Sequence, residues 1–458
     1  MWKYIINILL LLLTQFNILE SNTPGFTLTP YMYYDSFSNG SVFHTNKKGS
    51  ATITTVGLSA KKETSNLSIH GSFNFTSTRN VDLLLSHFDQ SLFFEKKRGY
   101  YNSDNNWFES SLLSIEYKKT KNLSFFGGKK TIHWGQGNSS LILSKDIPSF
   151  PLLGFNWKLS NSLSLEYFHG TLSSQIVDTT NTLYENIVRR NVYYSRSLAG
   201  HKLSWEITQH LTFNAMEMVV FGHRTTDIHY LLPLIPFWSM QHYIGDIDNV
   251  QMCGELVYKP NSNSNLYFSL FVDEWRPEWT FKSTNRNWFG YQFGLNKNNI
   301  FHEKDFFIVE YTWTDHRVYN HKYEINNSYT YDYPIGFWAG PHAEELYIIY
   351  SGKIRDLNIN IKSSLVKRGE LTNEILEGQY KDIIYERYSN FFETRSVTSL
   401  KVEKSIINNS IFISCMLENI RWGNPGFDPK SPSLNQLDRV NKTSLNIGLS
   451  AYTDIIFK

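Results

Sequence analysis

From Phe26 to the C-terminus, apolar and polar residues alternate with a period of two in segment after segment. Leu113/Ile115/Tyr117, Leu163/Leu165/Tyr167, Leu203/Trp205/Ile207, Leu211/Phe213, Leu266/Phe268/Leu270/Val272, Tyr291/Phe293/Leu295, Val309/Tyr311/Trp313, Leu346/Ile348/Tyr350 and Leu357/Ile359/Ile361 mark one face. Ser164, Glu166, Ser269, Gln292, Glu310, Asn358, Asn360 and Lys362 lie between them. Such alternation predicts strands with one apolar and one polar face. Short polar turns fall at 61–66, 118–122, 159–162, 208–210, 259–265, 296–305, 353–356 and 404–409, which predicts eight hairpins. An opening strand near Phe26–Asp35 and a closing one at Ser444–Lys458 bring the count to eighteen. An even count, with short turns at one end and long loops at the other, is the plan of an outer-membrane barrel. The predicted class is all-β: a closed antiparallel transmembrane β-barrel of about 18 strands with long extracellular loops. Closure follows because the bilayer interior offers backbone groups no water.

In the last strand Leu445, Ile447, Leu449, Ala451, Ile455 and Phe457 share one parity. A soluble sandwich or propeller would need two packed faces or a blade-like repeat, and no fixed period appears beyond the hairpins. The phase also places the two cysteines: Cys415 goes with Ile411, Ile413 and Leu417 towards lipid, and Cys253 with Gln251 and Glu255 towards the lumen. On opposite faces they cannot pair. One strand breaks the pattern, since the parity of Leu211 and Phe213 would turn Glu217 into lipid. A β-bulge near Ala215, swinging Glu217 inward, is the expected remedy.

Composition agrees with this plan. The 458 residues carry 44 Lys+Arg against 42 Asp+Glu, which excludes the charge excess of a nucleic-acid binder. Aromatics reach 16%, too many for a disordered chain and suited to interfacial girdles. At the N-terminus, Lys3 precedes the apolar run Tyr4 to Leu13, too short to span a membrane. Residues 1–22 are expected to be a cleaved signal peptide and 23–458 one barrel domain, exported to the bacterial outer membrane. The next most apolar stretch, Leu231 to Trp238, is short and interrupted by Pro233 and Pro236.

Catalytic chemistry finds little support. There is no H-E-x-x-H spacing, no G-x-S-x-G elbow and no phosphate-cradling glycine loop. No metal or cofactor is expected; His223 and His229 read as solvated loop histidines rather than ligands. Val81 to Arg98 has the spacing of an amphipathic helix, either a plug in the barrel mouth or packing for other loops. More informative are rings clustered with amides and acids: His133 to Asn138, Trp238 to His242, and Asp273 to Trp279. Flat rings beside planar hydrogen-bonding groups suit sugars, which present C–H faces and hydroxyls. An aromatic girdle with loop packing explains the same residues. Trp134, Gln136, Asn138, Trp238, Gln241, Asp273, Trp275 and Arg276 are the candidate carbohydrate contacts.

An ordered set of motifs carries a resemblance. Gly127-Gly128-Lys129-Lys130-Thr131-Ile132-His133-Trp134-Gly135-Gln136-Gly137, running on to Ser144, is followed by Gly200-His201-Lys202-Leu203, Ala215-Met216-Glu217 and Phe221-Gly222. Pro233-Leu234-Ile235-Pro236-Phe237, Gln241, Asp248-Asn249, Phe271-Val272-Asp273-Glu274 and Gly336 to His342 complete it. This set resembles the Wzi-type capsule assembly outer-membrane protein family, most strongly from Gly127 to Trp275. The chain has Asp273-Glu274 where that family has a fuller Asp-Asp. The resemblance implies an eighteen-stranded barrel, closed by its loops, that retains capsular or other surface polysaccharide without enzymatic turnover. It also implies surface polysaccharide and outer-membrane lipid as partners, with polysaccharide export machinery as a further one; a monomer is expected. The alternative role for the same wall is a diffusion porin for sugars or other small polar solutes. An outer-membrane hydrolase would need Ser, His and an acid converging on one rim.

Overall fold

A computed structural model describes residues 25–39, 50–81, 97–102, 105–180, 183–185, 188–224, 227–280, 282, 287–331, 333–378, 385–407, 409–425, 427–432 and 438–457. The expected signal peptide and nearly all of the expected helix Val81 to Arg98 lie outside these residues. The end of that helix, Lys97-Arg98, belongs instead to a short strand, Lys97–Asn102, paired with Asn105–Lys118.

The wall begins with β1 (Phe26–Phe37), β2 (Ala51–Glu63), β3 (Leu67–Arg79), β4 (Asn105–Lys118), β5 (Leu123–Lys130) and β6 (Phe150–Lys158). It continues with β7 (Leu163–Val177), β8 (Tyr193–Thr208), β9 (Leu211–Gly222), β10 (Asn249–Asn261), β11 (Ser264–Glu274) and β12 (Trp288–Asn298). β13 (Phe306–Thr314), β14 (Ala343–Ile354), β15 (Leu357–Gly369), β16 (Phe392–Ile407), β17 (Ile411–Gly423) and β18 (Val440–Tyr452, resuming at Ile455–Phe457) complete it. The barrel has 18 strands, each antiparallel to its neighbours, and β18 closes it on β1 through Phe26↔Phe457 and Phe37↔Asn446.

All eight expected hairpins are present, and most of their turns are capped by their own side chains. Thr208 Oγ1 accepts from the backbone N–H of His210 and Leu211, and Thr120 Oγ1 from Asn122 and Leu123. Asn261 Oδ1 accepts from Asn263 N–H in the same way. Short polar residues that bond the nearby backbone favour such turns. At the other end the connections are long.

The two faces follow the alternation. Leu203, Trp205, Ile207, Leu256, Phe293, Leu417 and Ile447 are exposed on the outer surface, whereas Glu255, Ser269, Gln292 and Glu310 are buried in the lumen. Cys415 is exposed and Cys253 buried, both as free thiols.

The bulge expected near Ala215 does not form. β9 pairs in continuous register with β8 from Gly222 to Thr212 and with β10 from Leu211 to Val220. Glu217 keeps the outward parity, opposite His201 and Met252, and is nevertheless 6% exposed. Part of the long β9–β10 connection folds back against the outside of the wall and covers it. There α1 (Phe237–Tyr243) presents its first N–H groups to the carboxylate: Phe237 N and Trp238 N each donate to Glu217 at 2.7 Å, and His201 Nε2 lies 2.8 Å away. A helix N-terminus is a favourable place for a carboxylate, so the charge is neutralised where it stands.

Because Leu417 sits near mid-height of β17 and faces lipid, Leu417→Arg is expected to lower stability by about 2–4 kcal/mol. Asn358→Arg, on the lumen face, should be close to neutral. Unfolding by urea in lipid vesicles compares the two.

Candidate functional site

Two long connections turn into the barrel, 131–149 between β5 and β6 and 315–342 between β13 and β14. Their apolar residues, including Trp134, Leu141, Ile142, Leu143, Tyr319, Ile335 and Phe337, pack with inward wall residues Phe126, Phe168, Met218, Phe271 and Trp288 into one core. The lumen therefore contains a hydrophobic core of its own.

Wall carboxylates pin this plug. Trp134 Nε1 donates to Glu166 at 2.9 Å, Gln136 N to Glu255 at 2.8 Å and Asn138 N to Glu310 at 2.8 Å. Alternate residues of one loop thus reach carboxylates on β7, β10 and β13. Two further acids hold the second loop: Asp273 accepts from Tyr319 N at 2.5 Å, and Glu345 from Trp338 Nε1 at 2.7 Å. The loops also bind each other, through Tyr319 OH to Leu141 O at 2.6 Å and Ser144 N to Ile335 O at 2.9 Å. Gly137 makes the approach possible. A Cβ there would lie 2.3 Å from Gln292 Oε1 and 2.7 Å from Glu310 Oε2.

Buried histidines sharpen the packing. Lys145 N donates to His133 Nδ1 at 3.2 Å, so Nε2 carries the proton and donates to Gly137 O at 2.9 Å. Burial, with Lys145 nearby, lowers this imidazole from 6.5 to about 4. Burial likewise lowers His316 and His321 to about 4.

The plug separates two cavities. One, of about 890 Å³ at the short-turn end, is lined by Lys118, Lys121, Lys158, Lys202 and Lys259 with Glu166, Glu206 and Glu255, and the tip at Gln136 borders it. The other, of about 520 Å³ at the long-loop end, is lined by Tyr329, Tyr331, Trp338, Arg196, Arg368, Asn327, Asp428 and Lys430. Arg196 donates to the carbonyls of Asn327 and Ser173. Arg368 pairs with Glu393 at 2.8 Å.

The eight sequence-selected residues do not converge. Trp134 is fully buried, and Gln136 and Asn138 are plug residues held by their backbone. Asp273 is buried beneath the second loop. Trp238 and Gln241 lie in α1 on the outside of the wall; Gln241 donates to Asp246 Oδ1 and Asp248 O, each at 2.7 Å. Trp275 and Arg276 follow β11 at the long-loop rim. Trp275 is half exposed and Arg276 sits 4.6 Å over the Trp279 ring. Among the described residues no group of His, Cys, Asp and Glu could hold a metal, and His229 bonds Asp227 at 2.6 Å. The cavity residues Tyr329, Tyr331, Arg196 and Lys430 were missed; they come from one strand and two separate long connections, and only the folded loops join them.

Gly137→Ala is expected to lift the plug tip from Glu310 and expose 131–149 to protease. Gln136→Ala, which keeps its backbone N–H on Glu255, should leave cleavage unchanged. The histidines are neutral in the packed loops and ordinary in unpacked ones, so their contribution is complete above 6.5 and declines as pH falls towards about 4. Protease sensitivity of both loops should therefore rise between pH 7.5 and pH 4.5, as read by timed digestion in vesicles.

No family model matches the sequence, and no curated protein matches it. Among solved structures the fold is similar to that of Escherichia coli Wzi, described as an outer-membrane protein involved in group 1 capsule assembly and a carbohydrate-binding β-barrel. The TM-score is 0.57 at 12% identity, covering 95% of this chain and 85% of that one. Pseudomonas aeruginosa OccK3 (OpdO) aligns at a TM-score of 0.48 and 9% identity, over 94% of this chain and 96% of that one. Pseudomonas aeruginosa OccK5 (OpdH) gives 0.46 and 9%, over 94% and 98%. The closed eighteen-stranded barrel, with its apolar outer face and the Wzi fold, makes this chain a β-barrel of the bacterial outer membrane.

Proposed function

We propose that this chain is a plugged barrel that holds a surface polysaccharide, capsular or other, at its extracellular mouth without chemical turnover. One observation carries the reading: the lumen is occupied by two infolded loops with a shared core, above which a cavity of about 520 Å³ opens among the long loops. Its Tyr329 and Tyr331 rings beside Asn327 and Lys430, above the buried Arg196, offer stacking faces together with hydrogen-bond donors, the combination sugars need. Trp275 and Arg276 would extend the contact along the rim. The motif resemblance to the Wzi-type family supports the same role, as does the described carbohydrate binding of the Escherichia coli protein with this fold. A repeating glycan touching several such barrels would be retained through effective concentration, although each contact is weak.

A second reading, a porin for small polar solutes, draws on another part of the lumen. Thr55, Ser59, Asn74, Thr76 and Ser114 face inward and are only half buried, and Tyr33 is exposed among them. An aqueous strip along β1 to β4 would serve diffusion.

Deleting the gene should shift surface polysaccharide from the cell pellet to the medium with total production unchanged. An unchanged ratio, together with steady open-channel currents in planar bilayers, would favour the porin. Tyr331→Asn should weaken binding of purified surface polysaccharide by about 1 kcal/mol, roughly five-fold, measured by titration.

A further inference from the structure

The β9–β10 connection has a role that glycan binding does not use. Its segment from Asp227 to Asp248 lies against outward-facing wall residues: Tyr230 and Phe237 pack on Tyr167, Ala199, Val219, Phe221 and Val250, with Phe155, Met240 and Ile244 at the margin. Glu217 lies six residues above the β8–β9 turn, which at ~3.3 Å per residue and a tilt of about 40° is ~15 Å from the short-turn end. Val250, eleven residues above its own turn, comes out at ~28 Å by the same measure. The segment therefore covers the upper half of the lipid-facing band, at the depth of the outer leaflet.

What it presents outward is mostly apolar. Leu234 is 67% exposed, and Ile228, Leu231, Leu232 and Ile235 are exposed beside it, with the Trp238 and Tyr243 rings. Most of its polar groups turn the other way, and the exposed Ser239, His242 and Asp246 lie in and just after the helix that carries the Trp238 and Tyr243 rings. Asp248 and Asp227 hold Arg224, Tyr230 OH donates to Asp248 at 2.6 Å, and Glu217 is capped by the helix. The backbone is also prepared for a dry surrounding. Pro233 and Pro236 have no N–H, while the N–H groups of His229, Tyr230, Ile235, Phe237, Trp238, Ser239, Met240, Ile244, Gly245 and Asp246 bond within the protein. Non-helical backbone is tolerated at membrane depth only where it is buried in protein, and here the chain lies on the wall beneath its own Leu, Ile and Trp side chains.

We propose that this segment is an external strap embedded in the outer leaflet, its Leu and Ile side chains meeting lipid acyl chains and its Trp238 and Tyr243 rings the interface. The patch is continuous with the lipid-facing band of Leu203, Trp205, Leu256 and Tyr258, so the same lipid that bathes the wall reaches the strap. The strap restores an apolar surface where the wall itself places Glu217 and His201. The proposal rests on the barrel and its membrane alone and stands independently of glycan binding.

The test uses the full chain with Cys253→Ala and Cys415→Ala, a nitroxide label on Leu234→Cys, and reconstitution into phosphatidylcholine vesicles. Collision with oxygen, which concentrates in lipid, is compared with collision with a water-soluble nickel chelate. The same measurement on Leu256→Cys gives the lipid reference and on Lys430→Cys the aqueous one. The expected oxygen-to-nickel ratio at 234 equals that of the lipid reference. A ratio equal to the aqueous reference overturns the proposal. So does low collision with both reagents accompanied by spin–spin broadening, which would make the face a contact between copies of this chain. Tyr243→Cys repeats the test at the headgroup level, where a ratio between the two references is expected and an aqueous value counts against the strap. Adding Glu217→Ala to Leu234→Cys should shift the ratio at 234 towards water by releasing the helix N-terminus.

Discussion

The hydrocarbon interior of a membrane supplies no hydrogen-bond partners, and every feature of this molecule answers to that constraint. Backbone groups are satisfied by pairing all eighteen strands and closing β18 on β1. Closure gives one face to lipid and the other to an enclosed lumen, so polar residues lie on the inner face and apolar ones on the outer. Where the outer face carries a carboxylate, at Glu217, the protein brings N–H groups to it from a folded-back helix. The strand register is not disturbed.

The inner face has the converse requirement. Glu166, Glu255, Asp273, Glu310 and Glu345 line an enclosed space with acid groups that must meet hydrogen-bond partners. Lys202 answers Glu166 at 2.8 Å; otherwise side-chain amides, hydroxyls, indoles and the backbone N–H groups of two loops respond. A loop whose N–H groups are used up by wall carboxylates no longer needs water, and its apolar residues can pack in the lumen as a core. The close approach at Gly137 and the uncharged His133 belong to this arrangement. Plug and wall are thus one hydrogen-bonded structure, and the cavity above the plug takes its shape from both.

Three tryptophans show how one residue type divides among three tasks. Trp134 buries its ring in the plug and gives its N–H to Glu166. Trp238 faces outward from the strap, and Trp275 stands at the rim. Each lies in a motif of rings, amides and acids, and ring-and-amide chemistry describes all three equally well. Only position relative to wall, lumen and rim separates them.

The period-two alternation and the turn residues were enough, on their own, to establish the strand count, all eight hairpins, the face of each cysteine and the membrane that receives the chain. These are local properties: a strand's two faces and a turn's capping hydroxyl are settled within a few neighbouring residues. The answer to Glu217, the anchoring of Trp134, Gln136 and Asn138, and the joining of Tyr329, Tyr331, Arg196 and Lys430 around a cavity were decided by tertiary structure. Each depends on a loop meeting strands many residues away. The mid-strand charge signalled at Glu217 that something had to compensate, and local reasoning offered a bulge. The compensation came from residues 237 and 238, because a carboxylate at a lipid-facing position is best met by a helix N-terminus, and which helix can reach it is a matter of how the whole chain folds.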